Sequence, residues 1–379
     1  MRSVGERDVS SLAWLEGIER FGIKLGLERM QELMSRLGRP QERFRSIHVL
    51  GTNGKTSVTR TAEALLLAEG VSAGAYTSPH ITDWSERIRV DGKEADFEHA
   101  IERVRALAEE IEATQFEVLT AAALAEFGEA GVEAAVVEAG LGGRLDATNV
   151  IDAPVVVLTN VALEHTHHLG STREEIAGEK LAVVRPGATL VLGEPEWSDA
   201  AEAYSPGRVV HAPGGNAELA HAAVEALLDR RLPLEAAESV RVPGRLEHRG
   251  EAPLEIWDGA HNPAGVSYLL SKLPGGDDWT LVLSVSADKD AETMLAALSV
   301  LGERVVVTES AHGRPLSARE LGERARRVFP DVHVVSEPAE ALARARELAG
   351  PDGAVLVTGS LYLLTSLNSV RSPDVRWGT

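Results

Sequence analysis

A glycine-rich turn that carries a lysine and three hydroxyl side chains is the clearest chemical feature of this sequence. It follows the apolar run 47–50 and precedes apolar residues at helical spacing. Backbone N–H groups of such a turn and the N-terminus of the next helix bind anions, and lysine adds positive charge. Val49 stands where the strict P-loop pattern has its first glycine, so only the shorter form is present. We predict a phosphate-binding cradle built from Gly51, Thr52, Asn53, Gly54, Lys55, Thr56 and Ser57.

Polar residues also follow the next strand-like run, in the segment 76–80. Ligands of open α/β sheets gather beyond the carboxyl ends of the strands, so this position is informative. Two interpretations stay open here. Either a hydroxyl of the segment caps a turn, or the Ser78 hydroxyl binds Mg²⁺ while His80, Glu86 and Arg87 face a substrate.

Two more polar segments stand just after apolar runs. The first begins with Glu138, a carboxylate suited to the metal that bridges nucleotide phosphates. The glycines that follow Glu138 in this segment let the backbone approach a ligand closely. Arg144 and Asp146 add opposite charges to the same segment. The second segment ends at His165, which is either a metal ligand or a structural histidine. Because cysteine is absent and oxygen ligands are nearby, zinc is disfavoured.

Composition narrows the class of protein. The formal net charge of -20 argues against nonspecific nucleic-acid binding, but it leaves a local anion site possible. The absence of cysteine excludes disulfides and thiolate nucleophiles. No apolar run reaches membrane-spanning length, and residues 1–8 lack the apolar core of a signal peptide. We predict a cytoplasmic protein with no membrane partner and, by default, a monomer.

The chain alternates strand-like and helix-like segments in two runs, with a break at 231–244 that is interpreted as a linker. Clear helical periodicity occurs at 98–111 and 119–129. The alternation predicts an α/β fold, with a P-loop-type mononucleotide-binding domain over 1–242 and a smaller Rossmann-like α/β domain over 243–379. The predicted strands are 47–50, 71–76, 134–138, 155–159, 189–192, 254–257, 280–285, 304–308, 332–335 and 354–358.

Further motifs accompany the cradle, in order along nearly the whole chain. They occupy 27–30, 37–40, 76–80, 115–117, 138–149, 164–165, 179–180, 243–247, 257–263, 288–290 and 359–362. This set resembles the folylpolyglutamate synthase/dihydrofolate synthase family of the Mur ligase superfamily. The resemblance implies an ATP- and Mg²⁺-dependent ligase that joins L-glutamate to dihydropteroate or to a reduced folate through an acyl phosphate. It also implies that the second domain contributes to ATP and glutamate binding.

The resemblance implies roles for individual residues. Ser78, Glu138 and His165 match the Mg²⁺ ligands of the family, and Lys180 matches a lysine carried as a carbamate that orients a second Mg²⁺. From the sequence alone, Lys180 is simply a lysine in an exposed helix. Residues of the second domain implied to reach ATP are Arg245, Asp258, His261 and Asn262, with helix capping by Asp258 or Asn262 as the alternative. Residues implied to contact substrate are His80, Glu86, Arg87, Phe116, Arg144 and Asp146. The implied catalytic residues are Lys55, Lys180, Asp258 and His261.

The sequence departs from the family pattern at two positions of the site. Thr56 stands where the family usually has glycine, so either Thr56 or Ser57 supplies the hydroxyl near Mg²⁺. Glu164 replaces the aspartate that precedes the metal histidine. Two alternative functions stay open, a muropeptide-type Mur ligase and a noncatalytic ATP-binding protein. The first is disfavoured because the residues before Gly51 are too few for a separate nucleotide-sugar domain.

Overall fold

The computed structural model of the chain describes residues 10–18, 26–233, 237, 240–275 and 278–369. The chain divides into two units, residues 1–79 with 83–240 and residues 80–82 with 241–379. The boundary expected at 242/243 lies two residues after this division. Within the predicted linker, residues 234–236 and 238–239 lie outside the described residues.

An eight-stranded sheet forms the centre of the first unit, with strand order β4-β3-β2-β5-β1-β6-β7-β8. The strands are β1 (Arg45–Leu50), β2 (Ala73–Tyr76), β3 (Ile88–Val90), β4 (Lys93–Glu94), β5 (Ala134–Glu138), β6 (Val155–Leu158), β7 (Thr189–Leu192) and β8 (Arg208–His211). The six neighbouring strands β2-β5-β1-β6-β7-β8 run parallel to one another. Strand β3 pairs antiparallel with β2, and β4 pairs antiparallel with β3 at the edge of the sheet. The parallel strands β1, β5 and β6 are buried because helices cover both faces of the sheet.

Helices of the first unit pack on both faces of this sheet. They are α1 (Ser11–Gly17), α2 (Glu28–Arg36), α3 (Lys55–Ala68), α4 (Phe97–Ile111), α5 (Gln115–Ala130), α6 (Thr166–Leu169), α7 (Arg173–Leu181), α8 (Ser198–Glu202) and α9 (Asn216–Leu228). Ile47 and Val49 of β1 join the core beneath α3 and α9, while Leu50 joins the core beneath α4 and α5. A capping box between Thr114 and Glu117 begins α5.

The second unit contains a six-stranded sheet with order β13-β12-β11-β14-β10-β9, parallel except for the β9–β10 pair. Its strands are β9 (Glu247–Glu251), β10 (Leu254–Trp257), β11 (Trp279–Leu283), β12 (Arg304–Val307), β13 (Asp331–Val334) and β14 (Ala354–Thr358). Its helices are α10 (Pro263–Leu270), α11 (Ala291–Leu298), α12 (Ala318–Ala325), α13 (Pro338–Ala349) and α14 (Leu361–Ser369). No helix among the described residues combines the length and apolarity needed to cross a membrane.

The predicted α/β fold class is confirmed, and each predicted strand overlaps an observed one. The prediction missed four strands, β3, β4, β8 and β9. All four lie at or beside a sheet edge, where one side of the strand faces solvent and a continuous apolar run is not required. Strand β9 (Glu247–Glu251), for example, contains no apolar side chain.

Candidate functional site

The glycine-rich turn connects β1 to α3 as predicted, and two of its glycines are required by geometry. Gly51 has φ +145° and Gly54 has φ +84°, backbone conformations that side chains disfavour. A Cβ at Gly51 would collide with the Thr159 hydroxyl, and one at Gly54 would collide with the Asn216 carboxamide. The turn therefore packs tightly against the loop after β6 and the start of α9.

Two polar side chains after β6 hold the middle of the turn. The Asn53 N–H donates to Asn160 Oδ1 at 3.0 Å. The Asn53 carbonyl accepts from Thr159 Oγ1 at 2.7 Å and from Asn160 Nδ2 at 3.2 Å. Asn160 belongs to the polar segment that ends at His165, but the sequence pattern predicted no role for it. The available signal was its position directly after a buried strand.

Two lysines converge on the carbonyl of Gly51. Lys55 Nζ donates to the carbonyls of Gly51 and Thr52, both at 3.1 Å, and Lys180 Nζ donates to the Gly51 carbonyl at 3.0 Å. Lys180 lies on α7 and is 5% exposed, so the interpretation of an exposed-helix lysine was wrong. Burial, followed by repulsion from Lys55, lowers the pKa of Lys180 to about 7. The two amines therefore meet at the turn where a bound anion is predicted.

Glu138 joins two of the other predicted segments. It ends β5, is 1% exposed, and accepts a hydrogen bond from Thr56 Oγ1 at 3.0 Å. Its second oxygen accepts from the Ser78 N–H at 3.1 Å. The carboxylate therefore brings together the start of α3 and the end of β2, because β2 and β5 are adjacent parallel strands. Ser57 is buried in the first turn of α3.

His165 occupies a different kind of position from Glu138. It is exposed, has φ +50°, and is the residue from which α6 begins. Among the described residues, no group of three or more His, Asp and Glu side chains could hold a metal ion by itself. A metal at Glu138 would therefore need hydroxyl, phosphate or water oxygens as further ligands.

The glycines after Glu138 bring a loop against two neighbouring helices. A Cβ at Gly140 would collide with the Phe116 ring of α5, and one at Gly143 would crowd the Glu179 carbonyl and the Cα of Lys180. Arg144 adds two bonds to α7, because its N–H reaches the Glu179 carbonyl at 3.0 Å and its Nε reaches Glu179 Oε2 at 3.1 Å. The loop therefore braces the helix that carries Lys180.

Asp146 lies at the end of this loop with its carboxylate buried. One oxygen accepts from the Leu141 N–H at 2.7 Å, and the other accepts from the N–H and hydroxyl of Thr148. Burial raises the pKa of Asp146, and these donors oppose the increase. Phe116 lies beside the same loop, and its ring centroid is 6.1 Å from that of Tyr76. The fold thus places an aromatic ring and a buried acceptor around Gly140 and Leu141.

Three predicted substrate residues follow β2. Glu86 and Arg87 lie in a short 3-10 helix, Trp84–Arg87, where the buried Arg87 guanidinium stacks 4.7 Å from the Trp84 ring centroid. His80 belongs to the short segment 80–82 that groups with the second unit.

In the second unit, the predicted residues surround the carboxyl end of β10. Asp258 is buried and accepts from the N–H groups of Leu246 at 2.9 Å and Ala260 at 2.8 Å. Burial raises its pKa, and Arg245 is the largest opposing influence. His261 Nδ1 lies 2.8 Å from the Gly259 carbonyl.

Asn262 begins α10. Its Oδ1 accepts from the Gly265 N–H at 2.8 Å, so helix capping is confirmed for Asn262. Asp258 instead fixes the loop before that helix. It accepts from the N–H of Leu246, which precedes β9, and from the N–H of Ala260, which lies between β10 and Asn262.

Comparison with known proteins gives matches in both units. The Mur ligase middle domain matches residues 49–192, and the glutamate ligase domain of Mur ligases matches residues 244–361. The dihydrofolate synthase/folylpolyglutamate synthase of Mycobacterium tuberculosis is 36% identical over 78% of this chain and 76% of its own length. A probable bifunctional folylpolyglutamate synthase/dihydropteroate synthase of Haloferax volcanii is 36% identical over 93% of this chain, and the chain spans 49% of that protein.

A solved structure extends the similarity to three dimensions. It is a bifunctional folylpolyglutamate synthase/dihydrofolate synthase with Mn, AMPPNP and L-glutamate bound. The TM-score is 0.87 at 30% identity, with 97% of this chain and 100% of that chain covered. The similarity therefore extends over both units of this chain.

Proposed function

Because this chain belongs to the folylpolyglutamate synthase/dihydrofolate synthase family of Mur ligases, we propose that it joins L-glutamate to dihydropteroate or to the γ-carboxylate of a reduced folate, using ATP. The family membership and the ligands of the solved relative support this reaction. The observation that carries it is the convergence of Lys55 and Lys180 on the cradle beside the Thr56–Glu138 pair.

The reaction needs activation because a carboxylate is a poor electrophile. Transfer of the γ-phosphoryl group of ATP to a carboxylate oxygen forms an acyl phosphate and releases ADP. The amine of glutamate then attacks the acyl carbon, the C–O bond to phosphate breaks, and the amine loses a proton. In-line phosphoryl transfer depends on positioning and on neutralising charge. The ammonium group of Lys55, held at the mouth of the cradle, supplies that charge.

The residues around Glu138 fit a divalent cation. A buried carboxylate next to a hydroxyl offers the hard oxygen ligands that Mg²⁺ prefers. We assign Thr56, rather than Ser57, as the hydroxyl near Mg²⁺, since Thr56 already donates to Glu138. Ser78 and His165 remain the other proposed ligands. When bound, Mg²⁺ neutralises phosphate charge.

Lys180 has the property that carbamate formation requires. CO₂ adds to a neutral amine, and a pKa of about 7 leaves a large neutral fraction at neutral pH. An ordinary lysine, with a pKa of 10.5, would be almost fully charged there. The position of Lys180 beside Lys55 therefore supports the proposal that Lys180 carries a carbamate near a second Mg²⁺.

The pterin end of the substrate is assigned to Phe116 and Asp146. An aromatic ring suits a flat heterocycle, and a carboxylate accepts from its N–H donors. His80, Glu86, Arg87 and Arg144 remain predicted substrate residues. Arg245, Asp258, His261 and Asn262 remain predicted ATP residues. We also propose that the protein is cytoplasmic and monomeric.

The deciding experiment measures ADP release with ATP, Mg²⁺ and L-glutamate, offering dihydropteroate, tetrahydrofolate or a UDP-muramoyl substrate separately. We expect release with one or both pterin substrates. Turnover with the UDP-muramoyl substrate alone would overturn the assignment, and release that ignores glutamate would indicate a simple ATPase.

The substitution Lys55→Ala tests whether the cradle is needed for turnover rather than for folding. We expect it to abolish turnover while the thermal unfolding temperature stays close to that of the wild type. Lys93→Ala is the matched control, because Lys93 is an exposed lysine of β4. A wild-type rate in the Lys55 variant would remove the cradle from the mechanism.

A further inference from the structure

Three buried side chains, His48, Thr148 and Asp146, form a chain of hydrogen bonds, and two of them, His48 and Thr148, have no role in the proposed function. His48 of β1 is 1% exposed, and its Nε2 lies 2.8 Å from Thr148 Oγ1. Thr148, also fully buried, donates its hydroxyl proton to Asp146 Oδ1. The chain therefore runs from the strand that leads into the phosphate cradle to the carboxylate assigned to the pterin.

The hydrogen bonds of this three-residue chain all point in the same direction, from donor to acceptor. A threonine hydroxyl has one proton, and here that proton points to Asp146, so Thr148 Oγ1 must accept from His48. His48 therefore carries its ring proton on Nε2. Burial, followed by repulsion from Arg185, lowers the pKa of His48 to about 3, which keeps the ring neutral.

The surrounding contacts hold Asp146 and Thr148 in place. The Thr148 N–H donates to Asp146 Oδ1 at 3.0 Å, and the Leu141 N–H donates to Asp146 Oδ2 at 2.7 Å. Next to Thr148, Asn149 Nδ2 donates to the Arg144 carbonyl at 2.8 Å. The network leaves the carboxylate oriented by donors on two sides of the loop.

We propose that His48 and Thr148 are positioning residues that orient the Asp146 carboxylate for the pterin end of the substrate. This inference rests on the proposed function. Hydrogen bonds in a buried chain polarise and strengthen one another, so losing one member loosens the Asp146 carboxyl group. The ATP cradle is formed by other residues and should be unaffected.

The test measures KM for dihydropteroate and for ATP separately, by ADP release with the other substrates saturating. Thr148→Val removes the hydroxyl at nearly constant volume, and Thr148→Ser restores it. We expect the valine variant to raise KM for dihydropteroate about tenfold or more, with KM for ATP changed less than about twofold. The serine variant should recover most of the affinity.

His48 variants test the other end of the chain. His48→Leu should raise KM for dihydropteroate as Thr148→Val does, and His48→Gln, which keeps a donor near the Nε2 position, should recover part of it. The double variant His48→Leu/Thr148→Val should be no worse than Thr148→Val alone, because the chain acts as one unit. Thr308→Val, at a fully buried threonine of the second unit whose hydroxyl donates to the Ser336 carbonyl at 3.0 Å, controls for loss of a buried, hydrogen-bonded hydroxyl.

The outcomes separate this inference from the proposed function. Unchanged KM for dihydropteroate in Thr148→Val, or a parallel rise in both KM values, would show a merely structural role and overturn the inference. Calorimetric titration of dihydropteroate into each folded variant checks the result without turnover. If the wild type neither binds nor turns over any pterin substrate, the proposed function fails, and the inference fails with it.

Discussion

The buried amine of Lys180 should make the stability of this protein depend on pH. Its pKa falls from an ordinary value of 10.5 to about 7, because the amine is buried beside Lys55. The difference of about 3.5, at about 1.36 kcal/mol for each pKa unit, means that charging Lys180 costs the folded chain about 5 kcal/mol. Lys180→Met removes this charge and keeps most of the side-chain length.

The sign follows from proton binding. Between pH 7 and 10.5, Lys180 is protonated in the unfolded chain and largely neutral in the folded chain. The unfolded chain therefore binds more protons, and the stability of the wild type rises with pH by up to about 1.4 kcal/mol per unit. Below about pH 7, both states bind the proton and the dependence disappears. The Lys180→Met variant lacks this contribution throughout.

The assay is urea unfolding of the ligand-free protein in CO₂-free buffer at pH 7, 8 and 9. Excluding CO₂ keeps the amine free of carbamate. We expect the free energy of unfolding of the wild type, relative to Lys180→Met, to rise by roughly 1 kcal/mol for each pH unit. Lys93→Met, at an exposed lysine, should follow the wild type at all three values. A difference between wild type and Lys180→Met that stays constant with pH would refute the reasoning.

Two substitutions test the cradle itself by ADP release and thermal unfolding. Gly51→Ala forces a Cβ onto the Thr159 hydroxyl and should raise KM for ATP about tenfold or more; Gly70→Ala, with φ +76° and no atom within 4 Å, should cost only about 1–2 kcal/mol of stability. Thr56→Val removes the donor to Glu138 and should lower kcat/KM about tenfold or more, whereas Thr56→Ser should retain most activity. An equal rise in KM for ATP in Gly51→Ala and Gly70→Ala would contradict the first assignment. An equal fall in kcat/KM in Thr56→Val and Thr56→Ser would contradict the second.

Local pattern was sufficient to predict much of the molecule. The alternation of apolar runs with helical periodicity predicted the α/β class and the buried parallel strands, because a strand covered on both faces must be apolar throughout. The glycines and lysine of the cradle were likewise recognisable, since a phosphate-binding turn before a helix needs them at fixed spacing. Edge strands such as β9 escaped prediction because solvent on one side relaxes that pattern.

Only the tertiary structure decided which distant segments of the sequence contact one another. In the sequence, Lys180 is a lysine of an ordinary helix, and its altered pKa arises because the fold buries it against a carbonyl 129 positions away. Thr56 and Ser57 are equivalent hydroxyls in the motif, but the helix direction after Gly54 lets Thr56 reach Glu138. His48 showed no signal at all in the sequence, since its proposed role depends on a hydrogen bond to Thr148. Spacing along the chain thus determined which groups stand at the strand ends, and packing determined which of them meet, because burial and hydrogen bonding depend on neighbours in space.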